Sequence, residues 1–200
     1  MYIQLSRNIK KINILICKRR EFTHYPDIKI IVIVLPWDDY FMSLIMINKK
    51  TLHIACGNIN GYTVKGYSKY SDPGFINHIR NKDIICLLET HCPFQVSLIL
   101  PNFSAVHLSR SKNKKTNTIS GGISVFVKSE LKPGIKLLQH SNNDYIWIKL
   151  CKSFLGIQED IYLCYLYNPP ENSSYTQSLE TDIFEIIEND IVNYSEKVKY

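Results

Sequence analysis

The strongest constraint in this sequence is a run of five apolar residues, Ile84-Ile85-Cys86-Leu87-Leu88, closed by Asp83 on one side and Glu89 on the other. Successive strand side chains point to opposite faces, so a half-solvated strand alternates apolar and polar residues. An unbroken run bounded by charges is the pattern of a strand covered on both faces. Leu52-His53-Ile54-Ala55-Cys56 reads as a second buried strand, and it runs into the turn-rich Gly57-Asn58-Ile59-Asn60-Gly61. Between the two, Phe75, Ile76 and Ile79 recur at helical spacing behind Asp72 and Pro73. Asp suits an N-cap, and proline suits the first helical position, where its missing N–H would have no intrahelical partner. Strand, helix and strand predict a parallel β-α-β unit with a right-handed crossover. Both strands of such a unit end on one edge of the sheet. The segment after Asn58 and the side chain of Glu89 are therefore expected to converge, where α/β sheets place ligands.

Downstream the pattern changes to a β meander over residues 103–108, 122–128, 145–150 and 161–167, separated by polar or Gly/Pro segments. Residues 178–194 read as an amphipathic helix with Leu179, Ile183, Phe184, Ile187 and Ile191 on one stripe. The first fifty residues lack sustained periodicity of either kind and are read as an extension of unassigned order, set off by Lys49-Lys50. Residues 51–200 are read as the folded portion.

Charge is segregated along the chain. Residues 1–50 hold nine Lys/Arg against four Asp/Glu, or +5 of the total +6, so overall charge says little about the folded portion. Within it, residues 103–136 carry seven basic residues and one acid, and Arg110, Lys112, Lys114 and Lys115 form a basic loop suited either to nucleic-acid phosphates or to solvent. Six cysteines include no C-x-x-C pair and several sit in apolar runs, which predicts reduced thiols in cytoplasm or nucleus rather than a secreted chain. The apolar stretches before residue 50 are too short or too interrupted for the roughly 20 residues of a spanning helix, so no stable membrane insertion is expected.

The amide of Asn58 and the carboxylate of Glu89 are hard oxygen donors of the kind Mg²⁺ prefers. Taken singly, Asn-x-Asn-Gly is also ordinary turn chemistry, and a Glu ending a strand is ordinarily a surface carboxylate. Order adds information: Asn58-Ile59-Asn60-Gly61, then Leu88-Glu89-Thr90-His91, then Ser120-Gly121-Gly122-Ile123, then Tyr165-Leu166-Tyr167-Asn168-Pro169-Pro170. This succession resembles the endonuclease/exonuclease/phosphatase superfamily, and more closely the apurinic-type endonuclease domain of LINE-like (non-LTR) retrotransposons, over residues 51–194.

The resemblance implies an α/β fold, part of a two-sheet β-sandwich flanked by helices. It implies a Mg²⁺-dependent phosphodiesterase acting on DNA, with Mn²⁺ as a substitute. Asn58 and Glu89 would organise the metal and the scissile phosphate, Asn60 would orient the metal's surroundings, and Tyr167 would reach the phosphate through its hydroxyl. His91 follows the metal Glu and is expected to play a structural part. Gly57, Tyr62 and Leu88 depart from the family pattern, which touches local packing. The family's later G-D-x-N and S-D-H motifs do not occur within these 200 residues. The chain alone is therefore expected to be inactive and to expose inner-face apolar surface. The alternatives are a non-catalytic nucleic-acid-binding or interaction protein of retrotransposon origin, or the product of an incomplete gene model.

Overall fold

The computed structural model describes residues 29–35, 40–47, 50–64, 66–93, 98–110, 112–113, 117–139, 145–157, 159–167 and 183–197. Strands β1 (Lys29–Leu35) and β2 (Tyr40–Ile47) precede β3 (Lys50–Asn58), and β4 (Thr63–Val64) and β5 (Tyr67–Ser68) form a small hairpin. Helix α1 (Pro73–Ile79) then leads to β6 (Ile84–Leu88), β7 (Phe103–Leu108), β8 (Ile123–Lys128), β9 (Ile135–Gln139) and β10 (Tyr145–Leu150). The one-turn helix α2 (Lys152–Leu155), β11 (Ile161–Tyr167) and α3 (Ile183–Lys197) complete the order.

The larger strands form two sheets, β2-β3-β6-β8-β7 and β1-β11-β10-β9. In the first, β3 and β6 run parallel with Asn58 opposite Leu88, and α1 forms the crossover, as the apolar runs predicted. Its start follows the sequence signal: Asp72 Oδ1 accepts from Phe75 N at 2.8 Å, with Pro73 at the first position.

Strand alternation builds the layers. Ile84, Cys86 and Leu88 of β6 face a core shared with Ile146, Ile148 and Leu150 of β10 and Leu163, Tyr165 and Tyr167 of β11. Ile85 and Leu87 point the other way, into a cluster that includes Ile79 and is joined by Phe75 and Ile76 of α1. On the outer face of the second sheet, Tyr145, Trp147, Tyr162, Cys164 and Leu166 pack beneath Ile183, Ile187, Ile191 and Tyr194 of α3. Helix, sheet, sheet and helix are stacked, so β6 and β11 are buried along their whole length. That is the physical origin of their unbroken apolar sequences.

Three differences from the sequence reading stand out. Residues 29–35 and 40–47, assigned to an extension, are strands: β1 pairs parallel with β11, and β2 pairs antiparallel with β3. The last helix continues to Lys197, while residues 178–182 lie outside the described residues. The uncovered inner face expected of the sandwich is seen at the β9 edge, where Leu137 is paired with the inward Ile148 and is 40% exposed; the side chains of β1 and β2 lie outside the described residues.

The five described cysteines carry free thiols and are buried. No helix among the described residues is long and apolar enough to cross a membrane.

Candidate active site

Parallel pairing brings the ends of β3 and β6 to one edge, and backbone bonds extend the pairing beyond the strands. Ile59 N donates to Leu88 O at 3.0 Å, Gly61 N to Glu89 O at 2.6 Å, and Tyr62 N to Thr90 O at 2.7 Å. On the opposite side Thr90 N donates to Gly122 O at 3.2 Å and His91 N to Gly121 O at 2.9 Å. Residues 89–91 are thus held between the turn after β3 and the entry to β8. Glu89 and His91 both take left-handed backbone angles, φ 54° and 51°. For residues with a Cβ this conformation costs about 1–2 kcal/mol each, and the two flanking sets of backbone bonds hold it in place.

The Glu89 side chain, 14% exposed, is met from three directions. His91 Nε2 contacts Glu89 Oε2, Gly121 N donates to the same oxygen at 3.3 Å, and the Tyr167 hydroxyl donates to the carboxylate. Burial alone would raise the Glu89 pKa, but hydrogen bonds from His91, Tyr167 and Gly121 outweigh it and hold the carboxyl below its ordinary value. The group is therefore a carboxylate at neutral pH, and the ring nitrogen facing it must carry the proton. Burial, and then donation to Glu89, push the Tyr167 phenol in the opposite direction, well above its usual range. It remains a hydrogen-bond donor.

The Ser120-Gly121-Gly122 motif acquires a steric reason here. A Cβ on Gly122, at φ 90°, would stand 2.7 Å from Thr90 Oγ1 and 3.2 Å from Leu108 O. A Cβ on Gly121, at φ 74°, would stand 2.6 Å from Arg110 Cζ. Both glycines let neighbours close in on the strand end that carries Glu89. The Arg110 guanidinium continues over the Tyr167 ring, its Cζ 5.6 Å from the ring centroid.

The structure therefore joins Glu89, Tyr167 and Arg110, with Asn58 anchored on the same edge through its backbone. Asn58 Oδ1 accepts from Asn60 N at 2.9 Å, the geometry of an Asx turn. Asn60 is exposed with φ 44°, and Lys112 is exposed; Lys114 and Lys115 lie outside the described residues. Arg110, read from sequence as part of that basic loop, instead packs against Tyr167.

Sequence reading passed over two groups. One is the Gly121 N–H, a donor that no side-chain motif reveals. The other is Lys69, whose Nζ bonds the carbonyls of Ile59 and Asn60 and so ties down the turn after Asn58. Burial lowers the Lys69 pKa.

The donors present suit a hard divalent cation in kind. Glu89 offers an ionised carboxylate and Asn58 an amide oxygen, both hard donors. Among the described residues no group of three or more His, Cys, Asp or Glu could enclose a metal. One or two protein oxygens are the share that an ion such as Mg²⁺ takes while it keeps most of its water.

Neither a scan against models of known families nor a search of curated proteins returned a match for this chain.

Proposed function

We propose that this edge is the metal- and phosphate-holding part of a Mg²⁺-dependent phosphodiesterase site of the endonuclease/exonuclease/phosphatase type, with DNA as its substrate. The observation that carries the reading is the meeting of Glu89 with Tyr167. Residues far apart in sequence, each drawn from a different motif, converge on one carboxylate at the shared strand edge.

Glu89 would hold Mg²⁺ or Mn²⁺, with Asn58 contributing its amide oxygen, and the bound ion would polarise a phosphoryl oxygen and stabilise charge on the leaving oxygen. Tyr167 is kept protonated by burial, and its single O–H, which donates to Glu89 here, would turn to a phosphate oxygen gaining charge once the ion takes up the carboxylate. Asn60 Nδ2 and Oδ1, exposed beside the turn, would bond waters around the ion. His91 is taken up by Glu89 and orients it, so it does not serve as the base that deprotonates water. On that ground the chain by itself is proposed to hold the phosphodiester rather than to cut it rapidly, since groups that act as a unit lose their rate together.

The test is duplex-DNA binding by purified protein with Mg²⁺ and with EDTA, beside plasmid nicking under the same conditions. Mg²⁺-dependent retention that disappears in Glu89→Gln is the expected result. Binding that is equal in Mg²⁺ and EDTA, unchanged in Glu89→Gln and steeply salt-dependent would replace this reading with that of a non-catalytic basic binder.

A further inference from the structure

We propose that Arg110 is a positioning residue of this site, a guanidinium seated in the space left by Gly121 that fixes the Tyr167 ring and thereby presets Glu89 for a divalent cation. The inference rests on the phosphodiesterase reading above and adds a residue that acts through others.

Three placements carry it. Arg110 Cζ lies 5.6 Å from the Tyr167 ring centroid, a distance at which a flat cation is attracted to the ring face. An added Cβ on Gly121 would fall 2.6 Å from Arg110 Cζ and 2.8 Å from both Nε and Nη1, so the guanidinium passes directly over the glycine. Finally, Arg110 lies against two of the three groups that donate to Glu89: Tyr167 through its hydroxyl and Gly121 through its N–H. Arg110 therefore stands one contact behind the carboxylate on two of its three sides. The half-buried placement sets it apart from Lys112, which is exposed two residues later.

A positive charge near a cation site opposes cation binding through space, whereas a group that locks the ligand's hydrogen-bond partners favours it. The two effects have opposite signs, and this makes the role measurable. Free Mn²⁺ measured by electron paramagnetic resonance gives the affinity of the purified 200-residue protein, and thermal unfolding monitors the fold. Arg110→Met keeps length and removes the flat cation. It is expected to weaken Mn²⁺ binding by about tenfold or more, the usual effect of losing a partner behind a metal ligand. Arg110→Lys, which keeps the charge without the plane, is expected to recover only part of that loss. Gly121→Ala places a methyl against the guanidinium; it should weaken binding in the wild-type background and do so less in Arg110→Met.

Folded Arg110→Met that binds Mn²⁺ as tightly as wild type, or more tightly, overturns the proposal. So does full additivity with Gly121→Ala. If Arg110→Met does not fold, Arg110→Lys and Gly121→Ala decide between the outcomes: unchanged affinity in both overturns the proposal, and weakened affinity in both upholds it. Wild-type protein that binds no Mn²⁺ sinks the metal-site reading and this inference with it. Wild-type binding abolished by Glu89→Gln but indifferent to Arg110 sinks the inference alone.

Discussion

Glu89 and His91 stand on either side of Thr90 with φ values of 54° and 51°, and this doubled left-handed step turns the imidazole back onto the carboxylate. The intervening Thr90 is 1% exposed, its N and O both bonded to neighbouring loops, so the step has little freedom to relax. Strained backbone held by its surroundings is characteristic of sites where side-chain direction matters more than local stability.

Glu89 makes the fold pH-sensitive in a definite direction. Its folded pKa is depressed, by His91, Tyr167 and Gly121 acting against burial, so the native state binds fewer protons than the unfolded state in the acidic range. The stabilisation is fully present above the ordinary glutamate pKa and is lost as pH falls through the lower folded value. Urea unfolding of wild type and Glu89→Gln should show a stability difference that depends on pH across this range, with the wild type losing more on acidification. Parallel curves would remove Glu89 from the linkage.

Gly122→Ala should destabilise by about 1–3 kcal/mol, combining a strained backbone with overpacking, because its Cβ would lie 2.7 Å from buried Thr90 Oγ1. Gly66→Ala is the internal comparison. Its φ is 82° but, among the described residues, nothing lies within 4 Å of its added Cβ, so it carries the backbone strain alone. Chemical denaturation should rank Gly122→Ala as the more damaging change.

Asp72→Ala removes the side chain that accepts from Phe75 N at 2.8 Å, at the start of a seven-residue helix. Loss of such a cap costs about 1 kcal/mol. Hydrogen exchange should rise first at the amides of α1, and Asp72→Ser should restore most of the loss.

Asp190, 6% exposed on α3, accepts from Trp147 Nε1 at 3.0 Å across the interface between the helix and the second sheet. Asp190→Ala leaves that buried indole N–H without this acceptor and should cost about 1–3 kcal/mol. Asp190→Asn, which keeps an oxygen, should cost less. Near-ultraviolet circular dichroism of the tryptophan band reports whether the indole stays in place.

Much of this architecture was written locally. The Ile84–Leu88 run, the 103–108 and 161–167 strands and the Asp72-Pro73 helix start all appear where periodicity and capping put them, because both faces of β6 and β11 are covered and each position therefore had to be apolar. The parallel pairing of β3 and β6 followed from a strand, a helix and a strand in succession. What stayed hidden was non-local. Residues 29–35 show no alternation, and their partner β11 lies in the last quarter of the chain, so nothing nearby distinguishes them from an apolar extension.

The candidate site divides in the same way. Glu89 and Asn58 were legible from strand ends, whereas Arg110 looked like one cation among several. Its seat over Gly121 and against the Tyr167 ring separates it from Lys112, and both emerge only when distant strands are folded together.

The parallel pairing of Lys29 with Ile161 also sets a schedule for biosynthesis. At about 5–20 residues per second, β1 leaves the ribosome on the order of ten seconds before the strand that will neighbour it exists. Throughout that interval the segment KIIVIVL lacks its native β11 partner. A strand without its ladder partner is a template for pairing with another chain, so this segment gives a nascent-chain chaperone something to protect and two copies on one polysome a means of pairing with each other instead.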